Sequence, residues 1–276
     1  MEQRVLEMQA KSPPVIYLSG AGGGQPDFDA FRDGIDDETR FEVIGYPGWQ
    51  RYVSDRYSAE VLIAELAAQI EAKVGGGPIR IVGLSIGGHF AYAIGLHFQA
   101  MGREIAGLCA IDSFMFTSSG PSAGWKGRAL AEAVEIIRRK RFREFLRFLR
   151  SRFWRALARL AGDRLQGLLR KMSSPNGRNV FSAVDPIFEE ELSMRLLIKL
   201  TTPWIASLDQ KPVALKTQAI LLRAAHTGSS DAAWRSRCPN IGIVEIAGQH
   251  HNLFEPENIG SLRQAFLTAT RGWRRQ

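Results

Sequence analysis

Residues 79–88 read I-R-I-V-G-L-S-I-G-G. The first four positions form an apolar, strand-like run, and residues 87–101 have the composition of a helix. A G-x-S-x-G motif in this setting predicts a sharp turn between a strand and a helix, because small residues let the chain bend tightly. Such a turn holds the hydroxyl of Ser85 up at the end of a sheet. Ser85 is therefore a candidate nucleophile.

The chain on either side of this motif alternates between short apolar runs and helix-like stretches. Six runs predict buried strands at residues 15–19, 41–45, 79–84, 105–111, 218–223 and 241–246. Residues 59–73, 87–101 and 256–270 predict helices. This alternation predicts a mostly parallel sheet with helices on both faces. Combined with the motif, it predicts an α/β-hydrolase fold.

Residues 117–215 interrupt the alternation. They begin with a Ser/Gly/Pro-rich stretch and continue as a long amphipathic helical segment, with further helix predicted at residues 189–200. An α/β-hydrolase carries its lid as helices inserted between the middle and late strands. We therefore predict a core formed by residues 1–116 and 216–276, and a helical, Arg-rich lid at residues 117–215.

The charge of the chain is concentrated in this insertion. The whole chain has 36 Lys and Arg against 28 Asp and Glu, a net charge of +8. Between Lys126 and Lys171 there are 15 basic and four acidic residues, a net of +11, which leaves −3 for the rest. The main body is thus slightly acidic, and the basic surface is predicted on the lid.

Other features of composition indicate a globular protein of the cytoplasm. No apolar run approaches the roughly 20 residues that span a bilayer. The first 14 residues carry charges throughout and lack the apolar centre of a signal peptide. Cys109 lies in an apolar strand, so we predict a buried thiol rather than a disulfide with Cys238.

A serine nucleophile needs a histidine to take its proton and an acid to orient that histidine. In α/β-hydrolases the acid and then the histidine follow the serine along the chain. His250 comes directly after the last strand, at the sheet edge predicted for Ser85, and is preferred over His251. For the acid, Asp112 ends the strand after the motif, whereas Asp231 lies eight residues beyond the next strand. Asp112 is the better candidate.

Acyl transfer also needs two backbone N–H groups directed at the developing negative oxygen. Ile86, which follows the candidate nucleophile, is one predicted donor. The second is expected in the glycine-rich residues 20–24, G-A-G-G-G, where Ala21 is our prediction. A phosphate-binding loop is a weaker interpretation, because no Walker lysine follows and the spacing misses the dinucleotide fingerprint. We expect neither a metal site nor a bound cofactor.

With these residues placed, the chain resembles the thioesterase domains of nonribosomal peptide and polyketide synthases. The resemblance covers nearly the whole chain. It rests on the following segments: V-I-Y-L-S-G-A-G-G-G, I-V-G-L-S-I-G-G, L-C-A-I-D-S-F, A-I-L-L-R-A followed by Trp234, and I-A-G-Q-H-H-N-L-F-E-P-E-N-I. An acid directly after the motif unit is similar to the integrated, chain-terminating members of the family.

The resemblance implies a mechanism and a partner. Ser85, deprotonated by His250, would attack the thioester that joins an acyl or peptidyl chain to the phosphopantetheine of a carrier protein. Water, or an amine or hydroxyl of the same chain, would then open the acyl-enzyme. Carrier proteins are usually acidic, so the basic lid would steer them. The docking residues that this implies are Arg143, Arg147 and Arg150.

Three other functions fit parts of the sequence. A small-ester carboxylesterase or lipase would use the same catalytic residues, but the glycine loop lacks an H-G-G-G pattern. The basic amphipathic segment would also suit a protein that binds membranes or nucleic acid. We expect neither a nucleic-acid partner nor stable membrane association, because such a segment is more often a solvated helix face. An inactive hydrolase fold used only for interaction is disfavoured, since all three catalytic residue types are present.

Overall fold

A six-stranded parallel sheet organises the part of the chain that the structure describes. The computed structural model describes residues 14–22, 25–35, 39–103, 105–113, 186–224 and 231–275. The strands are β1 (Val15–Leu18), β2 (Phe41–Ile44), β3 (Ile79–Leu84), β4 (Ile105–Ile111), β5 (Ala219–Ala224) and β6 (Ile241–Ile246). Their spatial order is β2-β1-β3-β4-β5-β6, and every neighbouring pair is parallel. The predicted sheet is confirmed, with each strand end within one residue of its expected position.

Helices connect these strands. They are α1 (Gln25–Arg32), α2 (Trp49–Tyr52), α3 (Ala59–Val74), α4 (Ile86–Ala100), α5 (Pro186–Gln210), α6 (Asp231–Arg237) and α7 (Ile259–Ala269), and a 3₁₀-helix (Arg271–Arg275) follows. The three predicted core helices are confirmed as α3, α4 and α7. Helix α7 begins three residues later than predicted, because turns occupy the residues before it. Helices α1, α2 and α6 were not predicted.

Local chemistry sets the ends of α3. The hydroxyl of Ser58 accepts the N–H of Val61 at 3.3 Å, which satisfies one of the free donors at the start of the helix. Gly75 ends the helix in the left-handed conformation, at φ 60°, and its N–H bonds to the carbonyl of Glu71. Leu62, Leu66 and other apolar residues at helical spacing form the buried face.

Side chains of the central strands alternate between the two faces of the sheet. One face shares a cluster with α1 and α7: Tyr17, Val82, Leu84, Cys109, Ile111, Ile220, Leu222, Phe28, Phe31, Leu262 and Phe266. The intervening positions, such as Ile16, Ile81 and Leu108, are fully buried as well, and α4 packs against β3 and β4. Strands buried on both faces read as continuous apolar runs, which is why they could be located from the sequence.

The chain divides into two units. The first consists of Met1–Tyr46, Ser58–Met115 and Thr201–Gln276, and it contains the sheet. The second consists of Pro47–Tyr57 and Phe116–Leu200. Within the second unit the Trp49 N–H donates to the Ser193 hydroxyl at 3.1 Å, and Arg51 lies over the ring of Tyr57 at 5.1 Å.

Most of the predicted lid lies outside the described residues. This includes the basic segment with Arg143, Arg147 and Arg150, so its helical structure and the boundaries 117–215 stay predictions. Within the described ranges, no helix combines the length and apolarity needed to cross a bilayer.

Candidate active site

The G-x-S-x-G motif forms a strained turn between β3 and α4. Ser85 has φ 54° and ψ −118°, a backbone conformation that costs a non-glycine residue about 1–3 kcal/mol. It occupies the position before the first residue of α4, yet its side chain makes no capping hydrogen bond there. The hydroxyl therefore does not cap the helix, and Ser85 lies at the positive end of the helix dipole.

Close backbone packing holds this turn and brings the glycine-rich loop to it. A β-carbon on Gly83 would overlap the backbone of Gly87, and one on Gly87 would overlap the carbonyl oxygens of Leu18 and Ser19. A β-carbon built on Gly20 would lie 3.8 Å from that of Ser85. The loop after β1 thus lies directly beside the candidate nucleophile.

Tyr46 fixes the same loop from the neighbouring strand. Its hydroxyl donates to the carbonyl of Ser19 at 2.6 Å, and its ring packs edge-on against Phe90 of α4, with centroids 5.4 Å apart. Sequence reasoning missed this residue. Its position just after β2, at the carboxyl edge of a parallel sheet, is the signal that would have identified it.

Asp112 lies at the carboxyl end of β4 and is 1% exposed. Its backbone has φ 42°, and its N–H donates to the Leu222 carbonyl at 2.7 Å. One carboxylate oxygen accepts the N–H of Ala224 at 3.0 Å, so the end of β5 holds the side chain. The backbone N–H of Ser85 donates to the carbonyl of Ile111 at 2.8 Å, which ties the turn to the residue before Asp112.

His250 meets the other oxygen of this carboxylate. Its Nδ1 lies 2.7 Å from Oδ2 of Asp112, and its side chain is 38% exposed. The loop is held by asparagines: the Asn252 side chain accepts the Gln249 N–H at 2.6 Å, and Asn258 donates to the Asn252 carbonyl at 3.0 Å. A folded loop, rather than a flexible segment, thus presents the imidazole.

The contact fixes where the proton of the imidazole lies. An ionised carboxylate only accepts hydrogen bonds, so Nδ1 of His250 must donate to Asp112. In the neutral ring the lone pair is then on Nε2, the nitrogen that a general base uses. The pair of Asp112 and His250 therefore has the arrangement of an oriented base.

The rival residues have other partners. The carboxylate of Asp231 pairs with Arg223 at 2.9 Å in the first turn of α6. His89 is fully buried, and its Nδ1 lies 2.8 Å from a guanidinium nitrogen of Arg237. His251 is exposed. Of these residues, only Asp112 and His250 are joined in the described hydrogen bonds.

The two predicted oxyanion-hole residues lie on the elements expected of them. Ile86 is the first residue of α4 and is buried, and Ala21 is in the turn after β1. Gly23 and Gly24 of the same loop lie outside the described residues. The direction of the two N–H groups toward a substrate oxygen stays a prediction.

Comparison with known proteins places this arrangement in context. A family model described as "Thioesterase domain" matches residues 13–159, more than half of the chain. No curated protein matches the chain.

Several solved structures share its fold. The NocB thioesterase domain, in covalent complex with a fluorophosphonate nocardicin G analogue, is 17% identical, with a TM-score of 0.58 over 95% of this chain and 96% of that one. The RedJ thioesterase of the prodiginine pathway of Streptomyces coelicolor is 14% identical, with a TM-score of 0.59 over 95% and 92%. The four-domain nonribosomal peptide synthetase AB3403 is 16% identical, with a TM-score of 0.58; the match covers 92% of this chain but 19% of that one. At such identities the likeness shows the fold, and the predicted α/β-hydrolase fold is confirmed.

Proposed function

The chain belongs to the thioesterase domain family, and from that premise we propose that it cleaves thioesters through an acyl-enzyme on Ser85. The family implies hydrolase activity and confirms the resemblance inferred from the sequence motifs. The observation that supports the serine mechanism best is the 2.7 Å contact between Asp112 and His250, at the sheet edge where Ser85 occupies its strained turn.

In the proposed reaction the Nε2 of His250 takes the proton of the Ser85 hydroxyl as its oxygen attacks the thioester carbonyl. The buried carboxylate of Asp112 stabilises the imidazolium that results. The N–H groups of Ile86 and Ala21 would stabilise the oxyanion. When the carbon–sulfur bond breaks, the imidazolium protonates the leaving thiolate. Water, or a hydroxyl or amine of the bound chain, then attacks the ester, and His250 again takes the proton. The bond to the Ser85 oxygen breaks, and the imidazolium returns the proton to that oxygen.

We propose as substrate an acyl or peptidyl chain on the phosphopantetheine of a carrier protein, in polyketide or nonribosomal peptide biosynthesis. The chain is similar in fold to the thioesterases NocB and RedJ and to the nonribosomal peptide synthetase AB3403, and this similarity supports the choice. The charge of the chain supports it too, because a net of +11 between Lys126 and Lys171 would attract an acidic carrier. The chemistry uses protein groups and no cofactor, and we propose the cytoplasm as its compartment.

The nucleophile is tested by covalent labelling. We expect a fluorophosphonate probe to add its mass to the wild-type protein and to leave Ser85→Ala unmodified. His250→Ala should react far more slowly, whereas the matched change at the exposed neighbour, His251→Ala, should react like wild type. Labelling of Ser85→Ala at the wild-type rate would exclude Ser85 as the nucleophile.

The substrate class is tested by comparing thioesters with simple esters. We expect kcat/KM for acyl-pantetheine thioesters to exceed that for p-nitrophenyl esters of the same acyl group. The reverse order would favour a small-ester carboxylesterase.

The docking residues are tested by replacing Arg143, Arg147 and Arg150 together with alanine. Turnover of an acylated carrier protein should fall, while turnover of a small thioester should stay near normal. Replacing two exposed arginines outside this segment, Arg235 and Arg271, provides the control. Equal losses on both substrates would remove the docking proposal.

A further inference from the structure

The indole of Trp234 makes a buried hydrogen bond next to the proposed acid. Its Nε1–H donates to the carbonyl of Ser113 at 2.6 Å. Ser113 directly follows Asp112 in the chain and is 1% exposed, and Trp234 is completely buried. This bond connects two residues that are 121 positions apart. It therefore fixes the backbone on the carboxyl side of Asp112.

Asp112 requires such support because its backbone is strained. A residue at φ 42° persists only where its surroundings determine that conformation. Its N–H is held by Leu222 and its carboxylate by Ala224, so both of these constraints come from β5. The bond from Trp234 to Ser113 adds a constraint from α6, on the peptide that follows. Helix α4 also packs tightly against Ser113, because a β-carbon on Gly88 would overlap the side chain of that residue.

A buried polar cluster in turn fixes the indole. The ring of His89 stacks on it, with centroids 5.6 Å apart and planes 22° apart. The guanidinium of Arg237 lies 5.5 Å from its ring centre and also contacts Nδ1 of His89 at 2.8 Å. Asp209 pairs with that guanidinium at 2.6 Å. Since a guanidinium only donates, Nδ1 of His89 must accept, and this histidine is neutral.

This arrangement is costly for a part of the molecule outside the catalytic residues. Both Arg237 and His89 are 0% exposed, and burial lowers the pKa of Arg237 despite the nearby Asp209. An apolar core would avoid that cost. Two members of the cluster, His89 and Arg237, contact the ring of Trp234, whose one polar atom reaches the peptide beside Asp112.

We propose that Trp234 is a positioning residue for the reaction: its N–H, oriented by His89 and Arg237, holds Ser113 so that the Asp112 carboxylate stays aligned with His250. The role rests on the proposed function of Asp112 and His250. Trp234 itself contacts none of the reacting atoms in this scheme.

The test removes the N–H of Trp234 in two variants, one of which keeps the shape of the ring. Trp234→Phe removes the donor and part of the packing, and replacement of Trp234 by benzothienylalanine removes the N–H from a ring of nearly the same shape. Both should slow fluorophosphonate labelling of Ser85 by about tenfold, the equivalent of one hydrogen bond, and lower kcat while KM stays unchanged. Trp273→Phe is the matched control, because Trp273 is also buried and contacts Gly107 at the other end of β4. The labelling rate of this control variant should stay within about twofold of the wild-type rate.

A double-mutant cycle separates positioning from general destabilisation. If Trp234 acts through Asp112, Trp234→Phe should change the labelling rate by less than about twofold in an Asp112→Asn background. An equal loss in both backgrounds, or a wild-type rate for the benzothienylalanine protein, would overturn the proposal.

A spectroscopic measurement keeps the test independent of turnover. The proton shared by His250 Nδ1 and Asp112 should give a downfield NMR resonance in wild type, and this resonance should shift or broaden in both Trp234 variants but not in Trp273→Phe. An unchanged resonance would also overturn the proposal. Failure of the proposed function itself would be distinguishable, since wild-type protein and Ser85→Ala would then both stay unlabelled.

Discussion

Replacing Asp112 by asparagine tests the proposed catalytic geometry most directly. The carboxylate accepts two N–H groups, from Ala224 at 3.0 Å and from His250 at 2.7 Å, and it is 1% exposed. Asparagine has the same shape but only one acceptor. The Ala224 N–H belongs to the backbone and cannot turn away, so it takes the amide oxygen. The amide NH₂ then faces the Nδ1–H of His250.

The expected loss follows from this conflict of two donors. A charge-assisted hydrogen bond contributes about 1.5–3 kcal/mol, and a buried donor left without a partner costs about 1–3 kcal/mol. Alternatively the ring moves its proton to Nε2, which removes the base. Either outcome corresponds to about 10²–10⁴ in rate. The same substitution in the serine-protease triad, a standard reference case, costs about 10⁴.

The assay is the rate of fluorophosphonate labelling of Ser85 by intact mass, with circular dichroism to confirm that the variant is folded. Asp231→Asn is the matched control, because that carboxylate pairs with Arg223 instead. It should change the rate by less than about threefold. If Asp112→Asn reacts within about tenfold of wild type, or if the two variants exchange outcomes, the assignment of the acid is wrong.

Three further predictions concern stability and reactivity. Ser85→Gly should raise the free energy of unfolding by about 1 kcal/mol, because glycine adopts φ 54° without strain; a lower midpoint of urea unfolding would contradict this. Burial raises the pKa of the Cys238 thiol to about 12 and raises that of Cys109 as well, so a disulfide reagent should label neither thiol before unfolding; rapid reaction of the folded protein would refute their burial. The hydrogen bond from Lys73, 2.8 Å long, lowers the pKa of the carboxyl group of Glu42. A lowered pKa in the folded state gives stability that is present above the unfolded-state pKa and lost as the pH falls through the folded value. Glu42→Gln should therefore lower the free energy of unfolding by about 0.5 kcal/mol at pH 7 and leave it unchanged near pH 2, as measured by urea unfolding. The same difference at both pH values would contradict the ion pair.

The strands and the turn at Ser85 could be predicted because their signals are local. Central strands of a parallel sheet are apolar on both faces, and Gly83 is required by a contact within the motif itself. Gly87 is required by the backbone of Leu18 and Ser19 instead, but its place in the motif made it recognisable. Asp112 and His250 could be placed from topology alone, since parallel strands bring their carboxyl ends to one edge. In the structure the two side chains are in contact, 2.7 Å apart.

The remaining features depend on contacts distant in sequence. Helix α6 is only seven residues long, and its Trp234 bonds to Ser113, which is 121 positions away in the chain. The role of Tyr46 depends on the pairing of β2 with β1, which brings its hydroxyl to the carbonyl of Ser19, and this contact could not be predicted from the sequence around Tyr46. The strained φ of Asp112 likewise could not be predicted from the residues beside it in the sequence, because tertiary hydrogen bonds hold it.

The bond from the Ala224 N–H to Asp112 also bears on which strand end can hold the acid. The ends of β4 and β5 are close enough in this chain to share a hydrogen bond. A carboxylate side chain at the end of β5 would therefore lie near the same imidazole, that of His250. Either of the two strand ends could therefore hold the acid without moving the histidine.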